Sequence, residues 1–215
     1  MTGDGSRLPL RPLVRSFFSR STLQVARDLI GCLLVHESPD GRTVGRIVEA
    51  EAYMHDDPGS HAFRGQTPRN APMFEDPGRA YVYFTYGMHF CLCAVAHAPN
   101  IPGAVLIRAV EPFEGIELMR RRRGGAFKDR DVARGPGRLT KAFGLHRDHN
   151  RLDLTRKPLY VCAGERLPEE AVARGPRIGL GATQDGRPWR FSVVGSPWVS
   201  TGPTGTPGLD REPTA

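Results

Sequence analysis

The sequence predicts an α+β fold, a single domain built on a curved, mainly antiparallel β-sheet with flanking helices and a protruding β-hairpin. Three observations carry that prediction. Short apolar runs recur along the chain, separated by Pro- and Gly-containing turns, which is the pattern of strands joined locally. Helical periodicity appears at only a few, irregularly spaced places, whereas a doubly wound parallel sheet needs regular strand–helix alternation. One segment, AYVYFTYGMHFCLCAV, concentrates aromatic and apolar residues around a single Tyr-Gly step, a hairpin signal with Tyr86-Gly87 near its tip.

Taken in order, residues 1–15 mix Gly, Pro and Arg without periodicity and read as a flexible segment. The folded domain spans residues 16–201, and residues 202–215 form a Pro/Gly/Thr-rich flexible tail. Ser21-Thr22 precede apolar residues at Leu23, Val25, Ala26, Leu29 and Ile30, a spacing that predicts a hydroxyl-capped helix ending near Gly31. Residues 32–36 and 44–53 read as two strands joined around Pro39-Asp40-Gly41. Residues 54–79, rich in His, Asp, Gly, Pro and Arg, read as a long irregular segment. After the hairpin, GAVLIRAVEP reads as a strand, PFEGIELMRRRRGG as a helix closed by glycine, and ARGPGRLTKAFGL as a second helix. The last third gives short strands at PLYVCAG, RIGLGA and WRFSVVG.

Composition narrows the function. With 215 residues, 39% of them hydrophobic and 25% charged, the chain is long and apolar enough to bury a real core and is not a disordered protein. No apolar run approaches the roughly 18 residues of a membrane span. The first residues lack a leader's continuous apolar stretch, so the expected location is the cytoplasm, on the nucleoid if the source is bacterial. Cys32, Cys91, Cys93 and Cys162 sit in apolar runs at no zinc-binding spacing, so they read as buried small hydrophobes and no metal is expected. The basic residues comprise 27 Arg and 3 Lys, and the formal charge is +7, which suits a polyanionic partner. Walker, dinucleotide-binding, HExxH and G-x-S-x-G motifs are all absent. None of the three lysines lies in an apolar run, which disfavours a Schiff base and leaves activated water as the natural nucleophile.

Several residues could use that water. Glu49 and Glu51 lie two apart in IVEAEAY and share one face of the expected strand. A carboxylate there can act as a general base, and it can equally be solvent-facing or paired with arginine. Tyr53, His61, Tyr83 and Tyr86 bring flat rings from two segments, enough to sandwich a planar heterocycle, while Tyr81 reads as core. Tyr86 with Met88 at a hairpin tip would form an exposed wedge of the kind inserted into a base stack. Arg108, on an apolar strand, should be partly buried and needs an anion, either Glu51 or a phosphate. The four arginines at 120–123 read as a solvated helix end. Thr67, Arg69 and Arg138 lie in turn-rich elements compatible with phosphate contacts.

These segments resemble a known family. IVEAEAY, SHAFRGQTPRN-x-x-MF, YVYFTYGMHFCLC, VLIRAVEP, GPGRL and GSPWVS occur in the order found in the alkyladenine (3-methyladenine) DNA glycosylases, the type without a helix-hairpin-helix. The resemblance runs over residues 18–200. It implies a monofunctional base-excision repair enzyme of the 3-methyladenine DNA glycosylase II type. Such an enzyme flips alkylated or deaminated purines from duplex DNA and hydrolyses the N-glycosidic bond, leaving an abasic site. It further implies Glu51 as the base that activates water, Arg108 as its helper, and Tyr53, His61 and Tyr83 as walls of the base pocket. Tyr86 would fill the gap in the duplex from the minor groove. The same resemblance implies a monomer without metal or organic cofactor. Cys93 stands where the family often has an asparagine that helps exclude guanine, and His89 stands where a tyrosine is common. The competing expectation is a non-catalytic damaged-DNA-binding module of the same fold.

Overall fold

The computed structural model describes residues 10–99, 101–125, 127–183, 186–200 and 206–207. Two short helices, α1 (Arg15–Phe18) and α2 (Thr22–Asp28), precede strands β1 (Leu33–Ser38) and β2 (Gly41–Met54). A long loop with one 3₁₀ turn (Ala71–Phe74) leads to the hairpin β3 (Ala80–Thr85) and β4 (His89–Val95), followed by β5 (Gly103–Glu114). Helices α3 (Ile116–Arg123), α4 (Asp129–Val132) and α5 (Pro136–Phe143) come next. Strands β6 (Leu159–Cys162), β7 (Val172–Gly175), β8 (Arg190–Val193) and β9 (Thr206–Pro207) complete the described chain. The strands form one sheet in which every pairing is antiparallel, in the order β3-β4-β5-β2-β8-β7-β9, with β1 joined to β2 and β6. The fold is α+β, as the sequence predicts.

β2 organises the molecule. One of its edges pairs with β5 throughout, from Val44↔Glu114 to Met54↔Gly103. Its other edge pairs first with β1, as far as Leu33↔Arg46, and then with β8 from Glu49↔Ser192 to Glu51↔Arg190. Register shifts fall between Ile47 and Glu49 and between Glu49 and Ala50, where the edge changes partner. An irregularity of this kind bends a strand and re-aims its side chains. The two glutamates sit at that bend.

Alternation then gives the sheet two different faces. Ala50, Ala52, Val82, Leu92, Ala94, Val105 and Ile107 belong to one large apolar core with Val25, Ala26, Leu139 and Phe143 of α2 and α5. Tyr81, Cys91, Cys93, Ala104 and Leu106 form a second cluster, against which Tyr53 and Tyr83 pack. The helix-covered face is apolar, and the other face carries the tyrosines, cysteines and buried charged side chains.

Several expectations are revised. Ser21 stands at the N-cap of α2 but its side chain makes no capping bond, and the Thr22 hydroxyl instead donates to the Ala96 carbonyl at 2.8 Å, tying helix to sheet. The helix expected from PFEG begins only at Ile116, because Pro112, Phe113 and Glu114 extend β5 and Gly115 turns the chain at φ +77°. A Cβ at Gly115 would lie 2.3 Å from the Arg42 carbonyl oxygen, so no other residue fits that turn. RIGLGA is not a strand; the strand lies just before it, at Val172–Gly175. The arginines at 120–123 are less solvated than expected: Arg120 pairs with Glu117 and Asp129, Arg122 donates to the Phe143 carbonyl at 2.9 Å, and Arg123 lies over Phe127. Residues 10–15 of the expected flexible segment are tied to the domain, through a Pro12–Cys162 bridge and the Leu13 amide on the Val161 carbonyl at 2.8 Å. Of the expected C-terminal tail, Thr206–Pro207 pairs with β7, and the rest lies outside the described residues, as do residues 1–9.

Candidate active site

Buried charge underlies the second face. Glu49 and Glu51 are both 0% exposed. An ionised carboxylate without partners would be prohibitive at such a position. Glu51 Oε2 accepts hydrogen bonds from the Tyr53 hydroxyl (2.9 Å) and Arg108 Nη1 (3.1 Å), and its Oε1 accepts from the Ile178 amide (2.7 Å). Glu49 Oε1 accepts from Arg108 Nε and Arg190 Nε, each at 2.9 Å, and from the Ser200 hydroxyl at 2.8 Å; its Oε2 accepts from the Ser200 amide at 2.8 Å. Pairing with arginine is therefore the state of both glutamates, and exposure to solvent is excluded. Arg108 is buried more fully than expected, and its anions are Glu51, one of the two expected, and Glu49.

Burial sets the protonation chemistry. It pushes the Glu51 carboxyl above its ordinary range, against the opposing pull of Arg108, the Ile178 amide and the Tyr53 hydroxyl. A base raised this way holds a proton more firmly once it has taken one. The Tyr53 phenol is driven well above its usual value by burial and the Glu51 charge, so it stays a neutral donor.

Aromatic side chains wall a cavity of about 240 Å³ above these charges. Tyr53, His61, Tyr81, Tyr83, Cys91, Cys93 and Arg108 are among its lining residues. The Tyr81 and Tyr83 rings stack with centroids 5.0 Å apart, and His61 meets Tyr83 edge-on at 4.7 Å. His61 Nδ1 lies 2.9 Å from the Tyr81 hydroxyl. Desolvation, with Arg69 nearby, lowers the pKa of His61, so the ring is neutral at physiological pH. Behind Tyr53, the fully buried Arg177 lies 4.6 Å from the ring centre and 5.0 Å from that of Trp189, and it pairs with the fully buried Asp57. The volume is below the usual range for drug-sized ligands and suits one small planar heterocycle.

The mouth is built from four segments. Tyr86 and Gly87 take left-handed φ angles of +51° and +66° at the hairpin tip. A bulky residue there costs on the order of 1–2 kcal/mol, and such strain collects at functional sites. Tyr86 is 76% and Met88 67% exposed, and the Tyr86 hydroxyl donates to the Gly179 carbonyl at 3.4 Å across the opening. Arg69 reaches the Phe84 carbonyl at 3.2 Å and lies 5.9 Å from the Tyr83 ring centre. The Thr67 amide donates to Asn70 Oδ1 at 2.6 Å, and Asn70 Nδ2 donates to the His61 carbonyl at 2.6 Å, pinning this loop to the cavity wall. Arg138 is half exposed in the first turn of α5, two residues from the lining Pro136.

A match to the model of the Methylpurine-DNA glycosylase family covers residues 16–197, nearly the whole described fold and every residue placed above except Trp198–Ser200 and the termini. The chain belongs to that family. It is a DNA glycosylase at that level, with DNA as substrate and DNA repair as its field. Relatives agree across most of their length. The chain is 45% identical over 189 residues to a protein of Carboxydothermus hydrogenoformans, covering 87% of this chain and 98% of that one. It is also 45% identical to proteins of Salinibacter ruber (89% of this chain, 97% of the relative) and Streptomyces avermitilis (88% and 91%). Each of the three bears the provisional name 3-methyladenine DNA glycosylase.

Set against the family, the expected site residues fall into two groups. Tyr53, His61, Tyr83, Tyr86, Cys93 and Arg108 meet at one cavity, with Glu51 beneath it, whereas Thr67, Arg69, Met88 and Arg138 surround the mouth without lining it. Tyr81 is core, as read, and also holds His61. Alternation along β4 could have placed Cys91 beside Cys93. Arg177, Ile178 and Arg190 carry no local signal, because each reaches Glu49, Glu51 or Asp57 from more than 100 residues away, and Ser200, equally distant, is marked only by its place in the GSPWVS segment. RIGLGA leaves the sheet for the same reason: the Arg177 guanidinium goes to Asp57 and the Ile178 amide to Glu51. Among the described residues, no three His, Cys, Asp or Glu side chains are grouped to hold a metal, and no helix is long and apolar enough to cross a membrane.

Proposed function

We propose that this chain is a monofunctional, monomeric glycosylase of the 3-methyladenine DNA glycosylase II type that removes alkylated or deaminated purines from duplex DNA. The observation that carries the reading is a carboxylate held by Tyr53 and Arg108 directly beneath an aromatic cavity sized for one heterocycle. The protein approaches from the minor groove, Tyr86 and Met88 wedge into the stack, and the damaged nucleotide turns out into the cavity. Extrusion costs a few kcal/mol and is cheapest where pairing is already weak. Tyr53 and Tyr83 offer π faces to the base, which favour the positive charge that alkylation confers. With Tyr81 donating to Nδ1, the neutral His61 keeps its proton on Nε2 as a donor to the base.

Glu51 takes a proton from a water held with Arg108 Nη1 and the Ile178 carbonyl, which stand 3.5 Å apart. The resulting hydroxide attacks C1′ as the sugar gains oxocarbenium character, and the base leaves with the bonding electrons. Thr67, Arg69 and Arg138 hold phosphates around the mouth. The chemistry needs no metal or organic cofactor. Duplex oligonucleotides with a single hypoxanthine or etheno-adenine, and randomly methylated DNA, test the reading through alkali-labile sites. Wild type should release base and Glu51→Gln should not. Binding without release by wild type would make the chain a damaged-DNA-binding module instead.

Cys93 tunes the choice of purine in this reading. A thiol is smaller than an amide and a weaker hydrogen-bond partner, so guanine's exocyclic amine meets less opposition at the cavity wall. Wild type should release unmodified guanine faster than Cys93→Asn, and equal rates would reject this role.

A further inference from the structure

We propose that Glu49, gripped by Ser200, is a positioning residue that sets the bearing of Arg108 on Glu51, which makes the Gly-Ser-Pro-Trp-Val-Ser segment a working part of the active site. The inference rests on the glycosylase reading and extends it to residues that touch neither cavity nor substrate.

Geometry carries the argument. All three guanidinium nitrogens of Arg108 are engaged: Nε donates to Glu49 at 2.9 Å, Nη1 to Glu51 at 3.1 Å, and Nη2 to the Ser200 hydroxyl at 3.4 Å. An arginine beside one carboxylate prefers the two-pronged fork, which would occupy both carboxylate oxygens. Glu49 takes Nε, and the Ser200 hydroxyl held on Glu49 takes Nη2, so neither the side-on nor the end-on fork is open and Arg108 touches Glu51 through Nη1 alone. Glu51 can then receive a proton while a cation stays close enough to steady the water.

Glu49 needs its own restraint, and Ser200 supplies it. The Ser200 amide fixes one carboxylate oxygen, and its hydroxyl donates to the other while accepting from Arg108. Arg190 adds a second cation on Glu49 Oε1. Two glutamates and two arginines thus form one charge-balanced cluster. Its outer end is moored where Arg134 Nε donates to the Val199 carbonyl at 2.7 Å, beside the Ala109–Arg134 bridge to β5.

The charge of Glu49 also acts on Glu51. The groups facing Glu51 are Glu49 and Tyr53 of β2, Arg108 of β5, Arg190 opposite on β8, Cys91 and Cys93 of β4, and the Ile178 amide. Glu49 is the like charge among them and pushes the Glu51 carboxyl upward. Removing it and leaving Arg108 to Glu51 moves the carboxyl the other way, so the base weakens.

The test is single-turnover base release by Glu49→Gln as a function of pH. The maximal rate should fall about a hundredfold, with the enzyme concentration that half-saturates damaged duplex little changed, as a misdirected catalytic group produces. The acidic limb of the profile should move to lower pH. An unmoved limb overturns the proposal whatever the rate, because a purely structural role lowers amplitude without shifting the profile. Should Glu49→Gln fail to fold, Ser200→Ala decides. It should lose about tenfold in rate while the melting temperature falls by only a few degrees, because the Ser200 amide, Arg108 and Arg190 still hold the Glu49 carboxylate. Ser200→Thr should restore the loss; a wild-type rate in Ser200→Ala overturns the proposal. Glu111→Gln, which opens the Arg46 pair farther along the same two strands, serves as control and should keep its rate. Absence of release by wild type would reject the glycosylase reading, a result distinct from any of these.

Discussion

The two faces of the sheet use the same strands for opposite purposes. Toward α2 and α5 the strands present mainly alanine, valine, leucine and isoleucine, and the packing is apolar apart from a few hydrogen bonds such as Thr22 to the Ala96 carbonyl and Thr140 to the Phe90 carbonyl. Toward the cavity, the alternate positions of those strands present tyrosine, cysteine, arginine and glutamate. The first face supplies stability, since burying apolar surface contributes about 25 cal/mol per Å². The second consumes part of it, because buried ion pairs seldom outweigh their desolvation. A one-residue slip of β2 would exchange the faces, so the apolar side also fixes the register that places Glu51.

That division is open to attack from each side. The largest effect belongs to Glu51→Gln, which should cut single-turnover base release by about 10²- to 10⁴-fold while leaving the melting temperature within a few degrees. Phe143→Ala should do the reverse, costing about 3–5 kcal/mol in denaturant unfolding with the rate per folded molecule unchanged. A matching loss of rate would show that the faces are coupled. Tyr86→Gly removes a bulky side chain from a left-handed position and should stabilise the fold by about 1 kcal/mol, while affinity for damaged duplex falls.

The smallest effect separates the faces by pH. On the helix side, His36 Nδ1 donates to the Phe143 carbonyl at 2.7 Å, and His149 packs edge-on against His36. Desolvation lowers both, His149 from 6.5 to about 4. The unfolded chain then binds more protons than the folded one, so their contribution to stability is lost as pH falls from about 6.5 to about 4. Glu51 works in the other direction: its carboxyl is raised above 4.5, so the folded state is favoured by acid and loses that advantage as pH rises. Urea titrations should therefore show a shallower acid loss in His149→Gln and a steeper one in Glu51→Gln. Parallel curves would refute the assignment.

Much of this was legible in the sequence where the signal is local. Alternation in AYVYFT and HFCLCAV places Tyr81 and Tyr83 on the face of Cys91 and Cys93, and the observed register pairs Tyr81 with Cys93 and Tyr83 with Cys91. The Tyr-Gly step gives the tip, and Glu51 with Tyr53 gives one edge of the cavity. What stayed hidden depends on distance along the chain. Ser200 caps a carboxylate 151 residues away, and Ile178 one 127 residues away, through backbone amides that every sequence possesses. Pro112 and Glu114 read as part of a helix start because nothing nearby shows that Gly45 and Val44 of β2 will pair with them.

The change of partner along β2 has a consequence for how the protein tolerates alteration. The limb made of β1 and β6 meets the limb made of β7 and β8 chiefly through one shared strand. Length added at the β1–β2 turn, around Pro39 and Asp40, therefore hangs from the end of the sheet remote from Glu51. A tag or fused domain grafted there would ride on the outer limb, which makes this turn the natural place to attach a reporter that leaves DNA handling intact.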